Sequence, residues 1–243
     1  MGFVFAKVAK LFLYFGFSWP AVPTTLPAMA TPDILDGLVN YLGLLILLTF
    51  HEVGHAWMAW KCGDDTARLQ GRISLNPLVH IDPIGTVAMP LMMIFLSGSV
   101  VGQFLIGWAK PVPVNPLNFK NPRGDDVLVA LAGPWMNLLL AVVFMGLARA
   151  GLALQSPEAI KFFLTMVNLN LVLCFFNLLP IPPLDGSHVV KSLVGMSYET
   201  YAKLCRFGFI AVIVAMNLPI VRSYLYETTH RSFLVLARWF GLA

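Results

Sequence analysis

Residues 37–60 form an apolar run of 24 in which Glu52 is the only formal charge, and His51-Glu52-Val53-Gly54-His55 stands inside it. A bilayer-length apolar segment normally excludes ionisable side chains, since each costs on the order of 3 kcal/mol or more at depth. Two imidazoles and a carboxylate within five residues therefore need something that offsets that cost. Four residues apart, His51 and His55 share one helical face, with Glu52 beside them. This spacing suits two imidazole ligands of one zinc ion and a carboxylate aimed at a water rather than at the metal. The plainer alternative is a set of polar helix residues hydrogen-bonded to neighbours, which leaves the cluster unliganded where burial is most costly.

The surrounding chain agrees with a membrane setting. It is 58% hydrophobic and only 12% charged, against about 25% charge in soluble domains, so it reads as an integral membrane protein. The net charge of +4 comes from basic residues scattered among loops. No basic stripe with interleaved aromatics is present, so topology and not nucleic-acid binding explains that charge. Cys62, Cys174 and Cys205 show no CxxC spacing, which predicts free thiols. Cys62 lies near enough to His55 to be a soft ligand, although an unpaired thiol at a helix end explains it as simply.

Five long apolar stretches divide the chain: 37–60, 83–109, 127–148, 162–179 and 207–221. At 1.5 Å per residue the first covers about 36 Å and the last about 22 Å, against a hydrocarbon core of about 30 Å. The expectation is an all-α membrane bundle of about four to six transmembrane helices, forming one domain over 1–243 with its core at 37–190. Residues 1–30 read either as an extra span or as a signal-like segment, since Lys7 and Lys10 precede an apolar run and Ala28-Met29-Ala30 resembles a cleavage site. The connectors 61–82 and 110–126 are rich in Pro, Gly and Asn, which predicts turns and short extended strands. Arg222, Arg231 and Arg238 fit an interfacial tail over 222–243, with a helix at 232–242.

Stretch 83–109 is interrupted by Ser97-Gly98-Ser99 and Gly102-Gln103 and carries Pro90. That pattern suits a bent or re-entrant segment as well as a straight helix. Lys61, Arg68 and Arg72 precede it, while Lys110, Lys120 and Arg123 follow it. If basic loops stay cytoplasmic, both of its ends face that side.

A catalytic zinc site needs three protein ligands. A metzincin would have Gly and His where this chain has Met58 and Lys61, so the third ligand must come from elsewhere. Asp185 is the only formal charge from 162 to 190. It follows Pro180, Pro182 and Pro183, which forbid a regular helix, and unwound backbone at depth lines a cavity or is buried in protein. The competing reading is a turn aspartate before Gly186 at the lipid boundary. For Asp185 to meet the histidines, an odd number of crossings must separate their helices. Stretch 127–148 supplies one, so 83–109 must supply none.

His51-Glu52-Val53-Gly54-His55, Asn177…Pro180…Leu184-Asp185-Gly186 and Gly133-Pro134-Trp135-Met136-Asn137 together resemble the site-2 proteases, the intramembrane zinc metalloproteases. Gly71-Arg72…Asn76-Pro77…His80-Ile81-Asp82-Pro83-Ile84-Gly85-Thr86 and Lys110-Pro111-Val112-Pro113-Val114-Asn115-Pro116 resemble the compact bacterial members. The resemblance covers about 44–188. It implies a Zn²⁺ cofactor held by His51, His55 and Asp185, with Glu52 as general base. It also suggests Asn177 near the scissile carbonyl, where an amide donor would stabilise the oxyanion.

The partners it implies are single-span membrane proteins as substrates and the lipid bilayer, in a bacterial cell (inner) membrane with the site toward the cytoplasm. No PDZ-like or CBS-like regulatory domain is visible in the chain. Asn137, in a charge-free helix, is a candidate substrate-binding residue or an interhelix packing residue. His80 reads as a turn residue or a neighbour of the metal. His188 reads as an interfacial residue or a partner that orients Asp185. A membrane ion transporter or channel with a buried His/Asp site would also explain intramembrane charge. It does not explain the HExxH spacing, and an inactive protease-like binding protein does not explain an intact base.

Overall fold

The structure, a computed structural model, describes residues 34–88 and 109–242, and its regular elements are helices and helical turns. The first helix, α1, runs Ile34–Lys61. A turn through Gly63, at φ +108, leads to the short α2, Thr66–Leu69. After the connectors come α3 (Pro122–Ala153), α4 (Pro157–Asn177), α5 (Asp185–Leu193), α6 (Tyr198–Arg206), α7 (Gly208–Asn217) and α8 (Pro219–Trp239).

Three helices among the described residues are long and apolar enough to cross a membrane: Tyr41–Lys61 within α1, α3 and α4. The α7–α8 pair, bent by 80°, raises the count to four if it forms one broken span. The larger expected number drew on 1–30 and 83–109, most of which lie outside the described residues. At the end of α1, Lys61 Nζ lies 4.6 Å from the ring centre of Trp60 and 5.5 Å from that of Trp57. Paired cation and indole of this kind suit the boundary between lipid and water.

One local device recurs in the connectors. Asn76, Asn115 and Asn121 each precede a proline at the first position of a helical turn. Each side-chain oxygen accepts from a backbone N–H: Leu78 at 3.1 Å, Leu117 at 3.2 Å and Gly124 at 3.3 Å. Proline lacks the N–H that would otherwise be an orphan there, and asparagine satisfies one of the others. The connectors therefore form 3₁₀ turns at Pro77–His80 and Pro116–Asn118 and a π turn at Pro83–Ala88. The expected short strands do not appear among the described residues. Pro111, Pro113 and Pro116 remove donors that a ladder would need, and residues 111–115 carry no regular element.

Helices α3 and α4 form an antiparallel hairpin, and α1 lies across both. Leu44, Leu47 and Leu48 of α1 bury against Met166 and Leu173 of α4. Apolar burial alone gains little between helices in lipid, because the tails are as apolar as leucine, so close approach matters more. Gly43 supplies one such approach: a Cβ there would lie 2.6 Å from Met166 Sδ. Gly54 supplies another, since its Cβ would lie 2.8 Å from the Ala132 carbonyl of α3.

The C-terminal region departs from expectation. Leu218, which precedes Pro219, is extended at φ −78, ψ 126, as pre-proline sterics favour, and this breaks stretch 207–221 into α7 and α8. The helix expected at 232–242 is the last part of α8. Its Leu236 and Ala237 bury against Ala141, Met145, Val167 and Leu171. Leu225, Thr229 and Leu236 recur on one face of α8, which explains why it packs along its length.

Candidate metal and catalytic site

His51 and His55 are one turn apart on α1, and Asp185 is the first residue of α5. The sequence between α4 and α5 explains how the acid arrives. Leu178–Leu184 leaves the helix at its prolines, and the chain folds back over the end of α4. A Cβ on Gly186 would lie 2.1 Å from the Leu178 carbonyl, so α5 begins in contact with the last carbonyls of α4. Gly186 follows Asp185 because of this approach; it is not among the positive-φ residues.

The three side chains converge. His51 Nε2 and His55 Nε2 are 3.0 Å apart, and Asp185 Oδ2 lies 3.2 Å from the first and 3.4 Å from the second. All three residues are buried, and their donor atoms could hold one metal ion. Ligand bonds of about 2.0 Å in a tetrahedron give edges of about 3.3 Å, and the observed spacings match that figure. The space beside them is kept open by glycine: a Cβ on Gly133 of α3 would stand 2.3 Å from His55 Nε2 and 2.5 Å from His51 Nε2. The donor set and the cradle both fit zinc.

Glu52 is 4% exposed and faces the connector, where its Oε2 accepts from the Val112 N–H at 3.3 Å. That connector is held from both ends. Arg72 donates to the carbonyls of Val79 and Lys110 and, at 2.9 Å, to that of Pro111. Burial works against the Arg72 charge, and Glu52 works for it. Asp64 accepts from Thr66 N at 3.1 Å, Thr66 Oγ1 at 2.5 Å, Asn115 N at 2.7 Å and Asn118 Nδ2 at 2.8 Å. Burial pushes the Asp64 carboxyl up, but these donors outweigh it and hold the group below its ordinary range.

The other candidate residues have the following partners. Asn137 is fully buried, and its Nδ2 lies 2.9 Å from His51 Nδ1. It therefore touches a histidine of the cluster. Asn177 is also fully buried and donates from Nδ2 to the Leu173 carbonyl at 2.8 Å, within its own helix. His80 is buried and bonds through Nε2 to the Ser74 carbonyl at 2.9 Å, while burial first, and Arg72 after it, lower its pKa. Cys62 packs with Ala59, Phe119 and Val129, and burial pushes its thiol up, so it is not poised as a ligand.

His188 meets another acid, Asp126. Its Nδ1 bonds to Asp126 Oδ1 at 3.1 Å. Asp126 also receives Lys191 Nζ at 2.8 Å and Ser192 Oγ at 3.2 Å. This cluster fastens α5 to the start of α3. Sequence reasoning missed Asp126 because it ends a polar connector and resembles a solvated helix start. The signal available was Asp126 followed by an apolar helix, with basic residues His188 and Lys191 one turn apart beyond Asp185. Val129 was also missed: its carbonyl lies 2.7 Å from His55 Nδ1, and a backbone contact leaves no mark on residue type.

Comparison with known proteins adds the family context. The model of peptidase family M50 matches residues 40–156 and 146–216. The chain is 41% identical over 187 residues to a Bacillus subtilis (strain 168) protein named "Putative zinc metalloprotease YwhC", covering 73% of this chain and 79% of that one. It is 32% identical over 197 residues to a Mycolicibacterium smegmatis protein named "Putative zinc metalloprotease Rip2", covering 79% of this chain and 71% of that one. More distantly, it is 27% identical over 146 residues to stage IV sporulation protein FB of Bacillus subtilis, covering 60% of this chain and 47% of that one. No solved structure gives a significant match.

Proposed function

This chain belongs to peptidase family M50, the site-2 proteases, and is a multi-pass membrane zinc metalloprotease; from that premise we propose that it hydrolyses peptide bonds in or near the transmembrane segments of single-span membrane proteins. In this reading His51, His55 and Asp185 hold the zinc and Glu52 is the general base. The observation that carries it is the meeting of His51 Nε2 and His55 Nε2, on an apolar helix that also carries Glu52, with Asp185 Oδ2 of α5 at 3.0–3.4 Å.

Zinc bound there supplies a Lewis acid that polarises a carbonyl and acidifies water. Glu52 takes a proton from the attacking water and returns it to the leaving amine. The Val112 N–H on Glu52 Oε2 orients the carboxylate for that transfer. Asn177 lies near the scissile carbonyl in this reading, and its Nδ2 carries a second hydrogen beyond the one given to Leu173. A substrate helix hides its carbonyls in hydrogen bonds and must unwind locally before attack. The connectors between Lys61 and Asp126 are the segments that hold the unwound strand by edge pairing in this reading. Under the positive-inside rule the basic residues of the connectors support a site toward the cytoplasmic side of the cell membrane.

Glu52→Gln tests the mechanism. Purified wild type is expected to hold about one zinc per chain, the variant to keep it, and cleavage of a membrane substrate to stop. An active Glu52→Gln enzyme removes the mechanism. Proteomics of membrane fractions comparing the two is expected to show single-span proteins that persist only with the variant.

A further inference from the structure

We propose that Asn137 is a positioning residue for the metal centre: its Oδ1 accepts the Nδ1–H of His51 and so aims the His51 Nε2 lone pair at the ion. The inference rests on the ligand set proposed above and concerns α3, a helix that contributes no ligand to it.

Three residues of α3 lie against the two imidazoles at four-residue intervals. The Val129 carbonyl is 2.7 Å from His55 Nδ1. Gly133 has the closest approach, where a Cβ would meet both Nε2 atoms. The Asn137 amide is 2.9 Å from His51 Nδ1. Residues i, i+4 and i+8 share one face of a helix, so a single stripe covers both rings. Each ring nitrogen that faces away from the cluster is met by this stripe.

A carbonyl can only accept, so His55 carries its proton on Nδ1 and offers Nε2 as a lone pair. His51 can match this only if its own Nδ1 donates. In the structure the amide nitrogen of Asn137 faces Nδ1, which makes Nδ1 the acceptor and leaves the proton on Nε2. Among the described residues the Asn137 Oδ1 is buried without a hydrogen-bond partner. The two ends of a carboxamide are nearly equal in shape, and their assignment follows from the hydrogen-bond network. Turned over, the amide presents Oδ1 to Nδ1–H, and the His51 proton sits on the outer nitrogen. The orientation in the structure therefore suits a protonated Nε2, and the reversed one suits a metal-ligating Nε2. Outer partners of this kind fix ring orientation and tautomer in metal sites.

The test is zinc affinity of the full-length protein in detergent, by competition with a chromophoric chelator, for wild type, Asn137→Leu and Asn137→Asp. Asn137→Leu keeps the size and removes the acceptor, and a loss of 10- to 100-fold in zinc affinity is expected, as for other outer-partner changes. Asn137→Asp keeps an acceptor, and zinc affinity is expected within about threefold of wild type or tighter. Packing alone predicts the reverse: leucine tolerated, and buried aspartate disruptive. Wild-type affinity in Asn137→Leu, or a tenfold loss in Asn137→Asp, overturns the proposal. If Asn137→Leu does not purify as a single species, Asn137→Asp decides on its own. The visible absorption of the cobalt-substituted protein gives a second readout, with the ligand-field bands expected to be preserved in Asn137→Asp and altered in Asn137→Leu. His51→Ala separates the two levels of inference. If it binds zinc as wild type does, the ligand set fails. If it loses zinc while Asn137→Leu retains it, only the role of Asn137 fails.

Discussion

Gly133 and His55 occupy a space with no room for a methyl group between them: a Cβ on the glycine would lie 2.3 Å from the imidazole Nε2. The same Cβ would meet His51 Nε2 at 2.5 Å. Both contacts are to rings packed on a helix, so neither can swing away cheaply. Gly133→Ala is expected to push α3 off α1 or rotate an imidazole out of the cluster. Overpacking of this kind costs about 1–3 kcal/mol. Zinc per chain and cleavage should fall together. Undiminished metal content in a folded Gly133→Ala would show that the cradle is not needed.

Removing Asp185 should cost zinc before it costs the fold. Asp185→Ala is expected to hold zinc more weakly, because two imidazoles alone make an incomplete site. Stripping the metal from wild type with a chelator should lower its unfolding temperature. A ligand present at 100 times its Kd stabilises by about 2.7 kcal/mol. Asp185→Ala should show a much smaller drop on chelation. An equal drop in the two proteins would take Asp185 out of the ligand set.

The contact between Asp126 and Lys191, at 2.8 Å, joins α3 to the helix that begins with Asp185. Both side chains are about nine-tenths buried. Removing one partner of such a pair typically costs about 3–5 kcal/mol because the other is left buried and uncompensated. Lys191→Met should therefore destabilise the protein markedly in a thermal melt. Changing both, as Asp126→Leu with Lys191→Met, should recover part of that loss. Failure of the double change to recover anything would assign the bond's role to His188 and Ser192.

Acid should loosen the connector before the bundle. The Asp64 carboxyl is held below its ordinary value of 3.8 by four donors that outweigh its burial. A depressed carboxylate contributes stability that is fully present above the ordinary value and is lost as pH falls through the folded value. Protease access to residues 61–82 and 110–126 should therefore rise below about pH 3.8. In Asp64→Asn the access should already be raised at neutral pH, since an amide cannot accept all four bonds. Removing a charged partner from buried donors costs about 1–3 kcal/mol.

The helices and the trio His51, His55 and Asp185 that could hold a metal were legible in sequence because both leave marks on residue type. Apolar runs announce α1, α3 and α4, and an isolated carboxylate on a proline-broken segment announces Asp185. Asp185 meets His51 and His55, as the crossing argument assumed, while the crossing number itself turns on 83–109, most of which lies outside the described residues. What was not legible depends on backbone. The Val129 carbonyl, the Gly54 approach to Ala132 and the Gly186 approach to Leu178 arise from where helices cross, which composition does not encode. Of the turns and short strands expected in the connectors, the turns appear, capped by Asn-Pro pairs, and strands do not among the described residues. Residues 207–221 have the hydropathy of a span, yet Pro219 breaks them into two helices bent by 80°.

Gly54 lies so near Ala132 that a Cβ on it would stand 2.8 Å from the carbonyl, and this sets a lower limit on how small a working copy of the centre can be. Someone transplanting it into another scaffold would copy the two segments that carry His51, Glu52, His55 and Asp185. Those segments alone would leave the rings uncovered on one side, with no wall to stop them turning. The least that can be moved is a trio of elements whose axes pass within backbone contact. A host helix at the ordinary separation of 8–10 Å set by larger side chains would sit too far out to serve as that wall.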